Sequence, residues 1–169
     1  MIRKASLSDL DQIWQLREET KALLKERGID QWQHTNPSIE TFKNDIHLGE
    51  FYVYEENNAI LGMIAIRSGI ERTYNVIYDG NWGYDSPYLT IHRLAVKRGH
   101  LGSDIAKKLL TFADQLAIHT GINYIRIDTY YTNKYAIRLF ESFGYILRGW
   151  IWLEPGEGDL KRLAFDKKI

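Results

Sequence analysis

The sequence predicts an α/β fold, one mixed sheet flanked by helices, and two features carry that reading. Short stretches rich in β-branched and aromatic residues alternate with longer ones whose apolar residues recur at helical spacing. Some neighbouring strands are joined by tight turns, which require antiparallel pairs, while others are separated by a helix, which favours parallel ones. The expected order is strand, two helices, three strands, helix, strand, helix and two strands (β-α-α-β-β-β-α-β-α-β-β), read as a single domain over residues 1–169. At this size a chain hides roughly two-thirds of its unfolded surface, enough for one substantial core and cramped for two domains.

Met1 to Lys4 forms a short first strand. Ser6-Leu7-Ser8-Asp9 fits a capping box, and Leu10, Ile13, Trp14, Arg17 and Leu24 follow at helical spacing to about Arg27, where Gly28 ends the helix. Ser38 starts a second helix carrying Ile39, Phe42 and Ile46, with Gly49 at its exit. Phe51 to Glu55 and Ile60 to Ile66, separated by Glu56-Asn57-Asn58-Ala59, read as a hairpin. Tyr88 to Val96 continues the sheet, and Ser103 to Ala117 is a helix burying Ile105, Leu109, Phe112, Ala113 and Leu116 on one face. Tyr124 to Thr129 is a strand and Asn133 to Phe143 a helix. Strands Ile146 to Leu153 and Leu160 to Phe165 finish the chain, joined by a turn from Glu154 to Asp159.

Composition narrows the chemistry. The 22 basic and 22 acidic residues cancel and form no basic block, so nucleic acid is not an expected partner. Cysteine is absent, which removes disulfides, zinc–thiolate sites and thiol catalysis, and no metal site is expected. No segment approaches the roughly eighteen apolar residues of a membrane helix, and MIRKASLSDLDQ has no signal-peptide apolar core. The expected setting is cytoplasmic, without a membrane partner. The oligomeric state stays open, a homodimer included.

The most informative stretch is Leu89 to Leu110, where an apolar strand containing His92 runs through a short loop around Gly102 into an amphipathic helix. So short a connection aims the helix's first free N–H groups at one small volume, which suits an anion. Gly102 alone would be ordinary loop punctuation. Lys97, Arg98, His100, Lys107 and Lys108 surround the loop, either as a cationic rim or as a solvated helix face.

Residues 89–110 and 133–145 resemble the GNAT superfamily of acyl-CoA N-acyltransferases, and the likeness in element order covers nearly the whole chain. In that family a Leu-Ala-Val-like run presents backbone groups to the pantetheine arm, a [Q/R]-x-x-G-x-[G/A] loop wraps the pyrophosphate, and an N-x-x-A helix packs beside the arm. Leu94-Ala95-Val96 matches the run, Leu101-Gly102-Ser103-Asp104-Ile105-Ala106 occupies the loop, and Asn133-Lys134-Tyr135-Ala136 matches the helix start. Phe143-Gly144-Tyr145 closes that helix as the family's x-G-[F/Y] does. The resemblance implies acetyl-CoA as co-substrate, held by Leu94, Ala95, Val96, Leu101, Gly102, Ser103, Asp104, Ile105, Ala106 and Lys107, with Asn133 in support.

The loop departs from the pattern at Leu101 and at Asp104, which replaces the second glycine. A carboxylate beside a pyrophosphate meets repulsion of about 1 kcal/mol at 4 Å in water and more at lower dielectric. In a first helical turn, however, an Asp can point away and stabilise the helix dipole. The resemblance also places a thiolate-protonating tyrosine where Phe140 stands, so Tyr130, Tyr131, Tyr135 or water would have to serve, and Phe140 reads as core. Asn133 doubles as a strong helix N-cap.

His92 is the expected catalytic residue. Aminolysis of a thioester needs a neutral amine, and imidazole is suited to take or relay the proton. Some arylalkylamine-acetylating members of the superfamily carry a histidine two residues before the Leu-Ala-Val run, as His92 does here. Read alone, His92 is equally a half-buried strand residue satisfied by a hydrogen bond. Alternation places it on one face with Thr90 and Leu94, and Arg93 on the other. The aromatic-rich loop Arg67 to Pro87 and the segment Gly28 to Trp32 are candidate walls for an acceptor. The function expected is transfer of an acetyl group from acetyl-CoA to a small-molecule primary amine by direct transfer. The alternative is a non-catalytic acyl-CoA-binding or regulatory module, which Leu101, Asp104 and Phe140 favour.

Overall fold

In the computed structural model, which describes residues 1–153 and 156–169, one seven-stranded sheet runs in the order β1-β2-β3-β4-β5-β7-β6. The strands are β1 (Ile2–Lys4), β2 (Phe51–Glu56), β3 (Ala59–Ser68), β4 (Leu89–Val96), β5 (Tyr124–Tyr130), β6 (Ile146–Trp152) and β7 (Lys161–Lys168). The helices are α1 (Leu10–Glu26), α2 (Ile39–His47), α3 (Ile105–Thr120) and α4 (Lys134–Ser142). The element order is the one expected from the sequence. Of the expected turn Glu154 to Asp159, Glu154 and Pro155 lie outside the described residues.

The ends of the elements follow local chemistry. Asp9 accepts from the Ser6 N–H at 2.8 Å and, through both oxygens, from the Arg3 guanidinium at 2.8 and 2.9 Å, which ties β1 to the turn entering α1. That pairing holds the Asp9 carboxyl down at about 2. The β2–β3 turn is tighter than expected: Asn57 and Asn58 both adopt the left-handed conformation, at φ 51° and 62°, as a two-residue hairpin turn demands.

The sheet buries both faces. On one, α3 and α4 cover Ile64, Ile66, Ile91, Ile125, Ile127 and Phe165. On the other, α1 and α2 cover Phe51, Val53, Met63, Ala65 and Ala95. β3 lies near the centre and is accordingly almost continuously apolar. α3 sits directly on Gly62, where an added Cβ would lie 2.7 Å from Ile105 Cγ2.

β4 and β5 form the one parallel pair among the described strands, as the intervening α3 leads one to expect. The second crossover behaves differently. β7 inserts between β5 and β6, antiparallel to both, so α4 carries the chain one strand beyond its neighbour.

Two features open the sheet. β4 and β5 pair only at Leu89↔Ile125, Thr90↔Arg126 and Ile91↔Ile127, after which they diverge. Where they part, β4 carries a bulge against β3: Met63 opposes Ala95 and Ala65 opposes His92, so Ile64 faces two residues, and Arg93 takes φ 55°. The bulge corrects the expected alternation. Leu94 and Val96 pack on the α3 face with Ile91, whereas His92, opposite Ala65, lies on the α1/α2 face. Arg93 turns to that same face and pairs with buried Asp45 of α2 at 2.5 Å.

Filling the space at Gly62 should displace α3 from the sheet. Gly62→Val is expected to lower the free energy of urea unfolding by about 1–3 kcal/mol, the usual cost of overpacking, while an unchanged midpoint would show that α3 does not rest on this position.

Candidate active site

The separation of β4 from β5 opens a cleft of about 990 Å³ through the sheet. This is at the upper end of the range for small-molecule and cofactor sites. Its walls include β4 from Ile91 to Val96, the loop Leu101–Ser103 with the first turn of α3, Asn133 and the start of α4. Beyond Ile91 the β5-facing edge of β4 has no strand partner. The Lys97 N–H reaches Leu61 O at 2.8 Å, so by alternation the Val96 N–H points away from β3, toward the opening.

The loop before α3 concentrates free donors. Gly102 takes φ 81°, and an added Cβ there would meet nothing within 4 Å, so backbone conformation rather than space calls for glycine. The N–H groups of Gly102, Asp104, Ala106 and Lys107 have no acceptor among the described residues, whereas Lys108 already bonds Asp104 O at 2.9 Å. Amides gathered at such a turn and helix start form a cradle for an anion.

The acidic side chain in that loop does not face the cradle. Asp104 pairs with Lys108 at 3.0 Å, one helical turn on, and does not border the cleft. Ile105 is buried in the core at 3% exposure and contributes no side chain to the wall. The other expected cofactor residues, Leu94, Ala95, Val96, Leu101, Gly102, Ser103, Ala106, Lys107 and Asn133, all border the opening. Of the surrounding cations, His100 and Lys107 border it too, while Arg98 is engaged by Glu26 at 2.7 and 2.8 Å. Asn133 caps α4 by accepting from the Ala136 N–H at 3.3 Å and donates from Nδ2 to Gln31 Oε1 at 3.3 Å.

His92 borders the opening from the α1/α2 side and has a partner the sequence does not advertise. Its Nε2 lies 2.9 Å from Glu71 Oε2. An ionised carboxylate only accepts, so Nε2–H is the donor and Nδ1 is left as the basic nitrogen. The hydrogen bond from His92 is the main cause that holds the Glu71 carboxyl below its ordinary 4.5, with Arg67 adding to it. Glu71 is delivered by the loop after β3, as the Glu71 N–H donates to the Tyr88 hydroxyl at 3.0 Å. Three residues on, the Tyr74 hydroxyl donates to Asp128 Oδ2 at 2.6 Å. Burial, first, and Asp128 push the Tyr74 phenol well above 10, which keeps it a donor.

Both expected acceptor walls take part. Glu71 and Thr73 come from one, and Asp30, Gln31 and Trp32 from the other. Phe140, a core residue at 4% exposure that also touches the opening, packs edge-on against Phe165. Among the substitute tyrosines, Tyr135 borders the cleft, with the Arg27 guanidinium 3.7 Å over its ring. The Tyr130 hydroxyl instead donates to Asp159 at 2.9 Å. Sequence reasoning missed Glu71, Asp128 and Arg162, which belong to no motif. Asp104 and Lys108, four residues apart, were a readable pair.

A mixed sheet parted between two parallel strands, with free amides at the parting, defines an acyltransferase-type fold. Residues 10–145 match the acetyltransferase (GNAT) family model, and the chain belongs to that family. A GNAT-family acetyltransferase from Streptococcus agalactiae 2603 is 31% identical with a TM-score of 0.87, covering 100% of this chain and 95% of its own. One from Listeria monocytogenes 4b F2365 is 22% identical at TM-score 0.75, covering 100% and 94%. The PaiA N-acetyltransferase of Thermoplasma acidophilum, solved with coenzyme A, is 21% identical at TM-score 0.72, covering 100% and 98%. Among curated proteins none matches the sequence.

Because the Glu71 carboxyl is depressed in the folded chain, its contribution to stability is fully present above the unfolded carboxyl value and is lost as pH falls through the lower folded one. Urea unfolding at stepped pH should therefore find wild type more stable than Glu71→Gln at pH 7, with the gap closing as pH falls below the ordinary carboxyl value of 4.5. A gap that is constant across this range would show that Glu71 is not held ionised by His92.

Proposed function

We propose that the protein is an N-acetyltransferase that moves an acetyl group from acetyl-CoA to the primary amine of a small molecule, by direct transfer with both bound at once. The observation that carries this reading is that one cleft joins the unpaired edge of β4, the free amides at Gly102, Asp104, Ala106 and Lys107, and the His92–Glu71 pair. Residues 1–169 are taken as one acyltransferase domain.

Acetyl-CoA fits the donor set, since its diphosphate needs several N–H donors and its amide-rich arm needs an unpaired strand edge. Gly102 to Lys107 would hold the diphosphate, Leu94, Ala95 and Val96 the arm, with Leu101 and Asn133 beside them. The thioester supplies an acyl group activated toward amines. Asp104 needs no replacement in this scheme, because Lys108 already draws its carboxylate aside.

The two faces of the sheet divide the work. Leu94 and Val96 look toward α3, on the cofactor side, while His92 and Glu71 lie on the opposite side, where an amine would enter through the parting. An alkylammonium is almost wholly protonated at pH 7, so Nδ1 of His92 takes its proton, directly or through water, while Glu71 holds the ring and balances the imidazolium. The freed amine forms the C–N bond as the C–S bond breaks, sulfur leaves as thiolate, and the proton that the acylated nitrogen still has to lose passes to water. Negative charge on the acyl oxygen falls against the free N–H edge of β4. Tyr135, in the cleft wall, would return a proton to the thiolate, and a thiol of pKa about 8.5 also leaves acceptably without one. Holding both reactants at one strand edge contributes several kcal/mol through proximity.

Acetyl-CoA should raise the melting temperature, and release of CoA should depend on added amine. His92→Ala should cut kcat by about 10²–10⁴-fold, the usual worth of a general base, with CoA affinity changed less than threefold by calorimetry. Equal losses in both would remove His92 from proton transfer. Binding without amine-dependent release would identify a non-catalytic acyl-CoA module, the reading that Phe140 in place of a tyrosine favours.

A further inference from the structure

On the acceptor side of the sheet two opposite charges stand near each other without neutralising each other. Tyr130 is registered with Arg162 and Asp128 with Ala164, so Asp128 of β5 and Arg162 of β7 are diagonal neighbours, a relation that separates positions by about 7–8 Å. Both border the cleft. Asp128 follows Ile127, and His92 follows Ile91, the last pair before the strands part, so the two face each other across the mouth of the opening.

Arg162 is the unusual member. It is 6% exposed, and its Nη1 donates to two neutral acceptors, Asp159 O at 2.7 Å and Lys161 O at 3.0 Å. Its Nε and Nη2 find no acceptor, and it forms no ion pair within 4.0 Å, among the described residues. The neighbouring acids are committed elsewhere. Asp159 accepts from the Tyr130 hydroxyl and the Lys161 N–H, and Asp30 from the Asp159 N–H and His34. A buried guanidinium facing a cavity with spare donors is costly unless an anion arrives to use them. Asp128 is the complement: Oδ2 accepts from Tyr74, and Oδ1 accepts nothing from the described residues.

We infer that the acceptor is an amino acid, its carboxylate held by the spare guanidinium edge of Arg162 and its ammonium drawn to Asp128 and Glu71, beside His92. The inference rests on the acetyl-transfer reading and names its substrate class. Arg162 is thus a specificity-determining residue: its planar fork matches a carboxylate in a way that an uncharged amine cannot use. The separation of the two charges is what a zwitterion requires, since a direct Asp128–Arg162 pair would leave neither for the ligand.

Matched pairs that differ by one carboxylate test this: phenylalanine against phenethylamine, leucine against isoamylamine, arginine against agmatine, each assayed for CoA release from acetyl-CoA. Wild type should prefer the amino acid in kcat/KM by about 10–100-fold, the usual worth of a charged hydrogen-bonded contact. Arg162→Gln should bring the preference to within about twofold through KM, and Arg162→Lys should keep part of it, with CoA-induced melting shifts unchanged in both. The wild-type comparison decides even if a variant fails to fold. Amines used as well as their amino acids, or a preference that survives Arg162→Gln, would overturn the assignment and leave acetyl transfer standing. No turnover of any amine by CoA-binding protein would overturn both.

Discussion

The separation of β4 from β5 after Ile91 is the constraint from which the rest of the site follows. Each strand is fully engaged on its other side, β4 by β3 and β5 by β7 along its whole length, so the sheet can open only between them. The bulge at Arg93 supplies the change of direction, and the Arg93–Asp45 pair fixes it. Asp45 is almost wholly buried, and truncating either partner would strand a buried charge, typically a loss of about 3–5 kcal/mol. A residue at φ 55° would not stand in a strand without such a hold.

The parting also gives the site two approaches. The amide cradle at Gly102 and the start of α3 lie on one side, and the charged residues His92, Glu71, Asp128 and Arg162 on the other. The second side depends on a loop with little regular structure, and a buried cluster makes that loop rigid. Asp166, fully buried, accepts from the Tyr124 hydroxyl, the Gly83 N–H and Arg148 Nε at 2.7–2.8 Å. The Arg126 guanidinium lies 4.3 Å over Trp82 and 4.0 Å over Tyr88. These contacts clamp the loop to β5 and β7, and Tyr88 and Tyr74 pass the register on to Glu71 and Asp128.

Local chemistry made most of the fold legible. The caps at Ser6 and Ser38, the paired asparagines of the hairpin and the apolar stripe of α3 each settle an element within its own segment. The Leu94–Val96 run, Gly102 and Asn133 were legible as parts of one site through their resemblance to the run, loop and N-x-x-A helix of the GNAT pattern, which spacing alone does not join. Three things were not. The bulge at Arg93 leaves no mark, since arginine has no preference for positive φ, and it reversed the facing of Leu94. The insertion of β7 between β5 and β6 depends on tertiary packing. Glu71 reaches His92 across a loop whose path is set by Arg126 and Asp166, residues 55 and 95 onward that no spacing rule connects to it.

The most direct measurement is amide hydrogen exchange by NMR with and without acetyl-CoA. Slower exchange is expected at Val96, Gly102, Ala106 and Lys107, the N–H groups left open by the parting and the turn, with little change along the β3-facing side of β4. Tight binding of acetyl-CoA with exchange at these amides unaltered would contradict the claim that the unpaired backbone at the parted strands is what grips the donor.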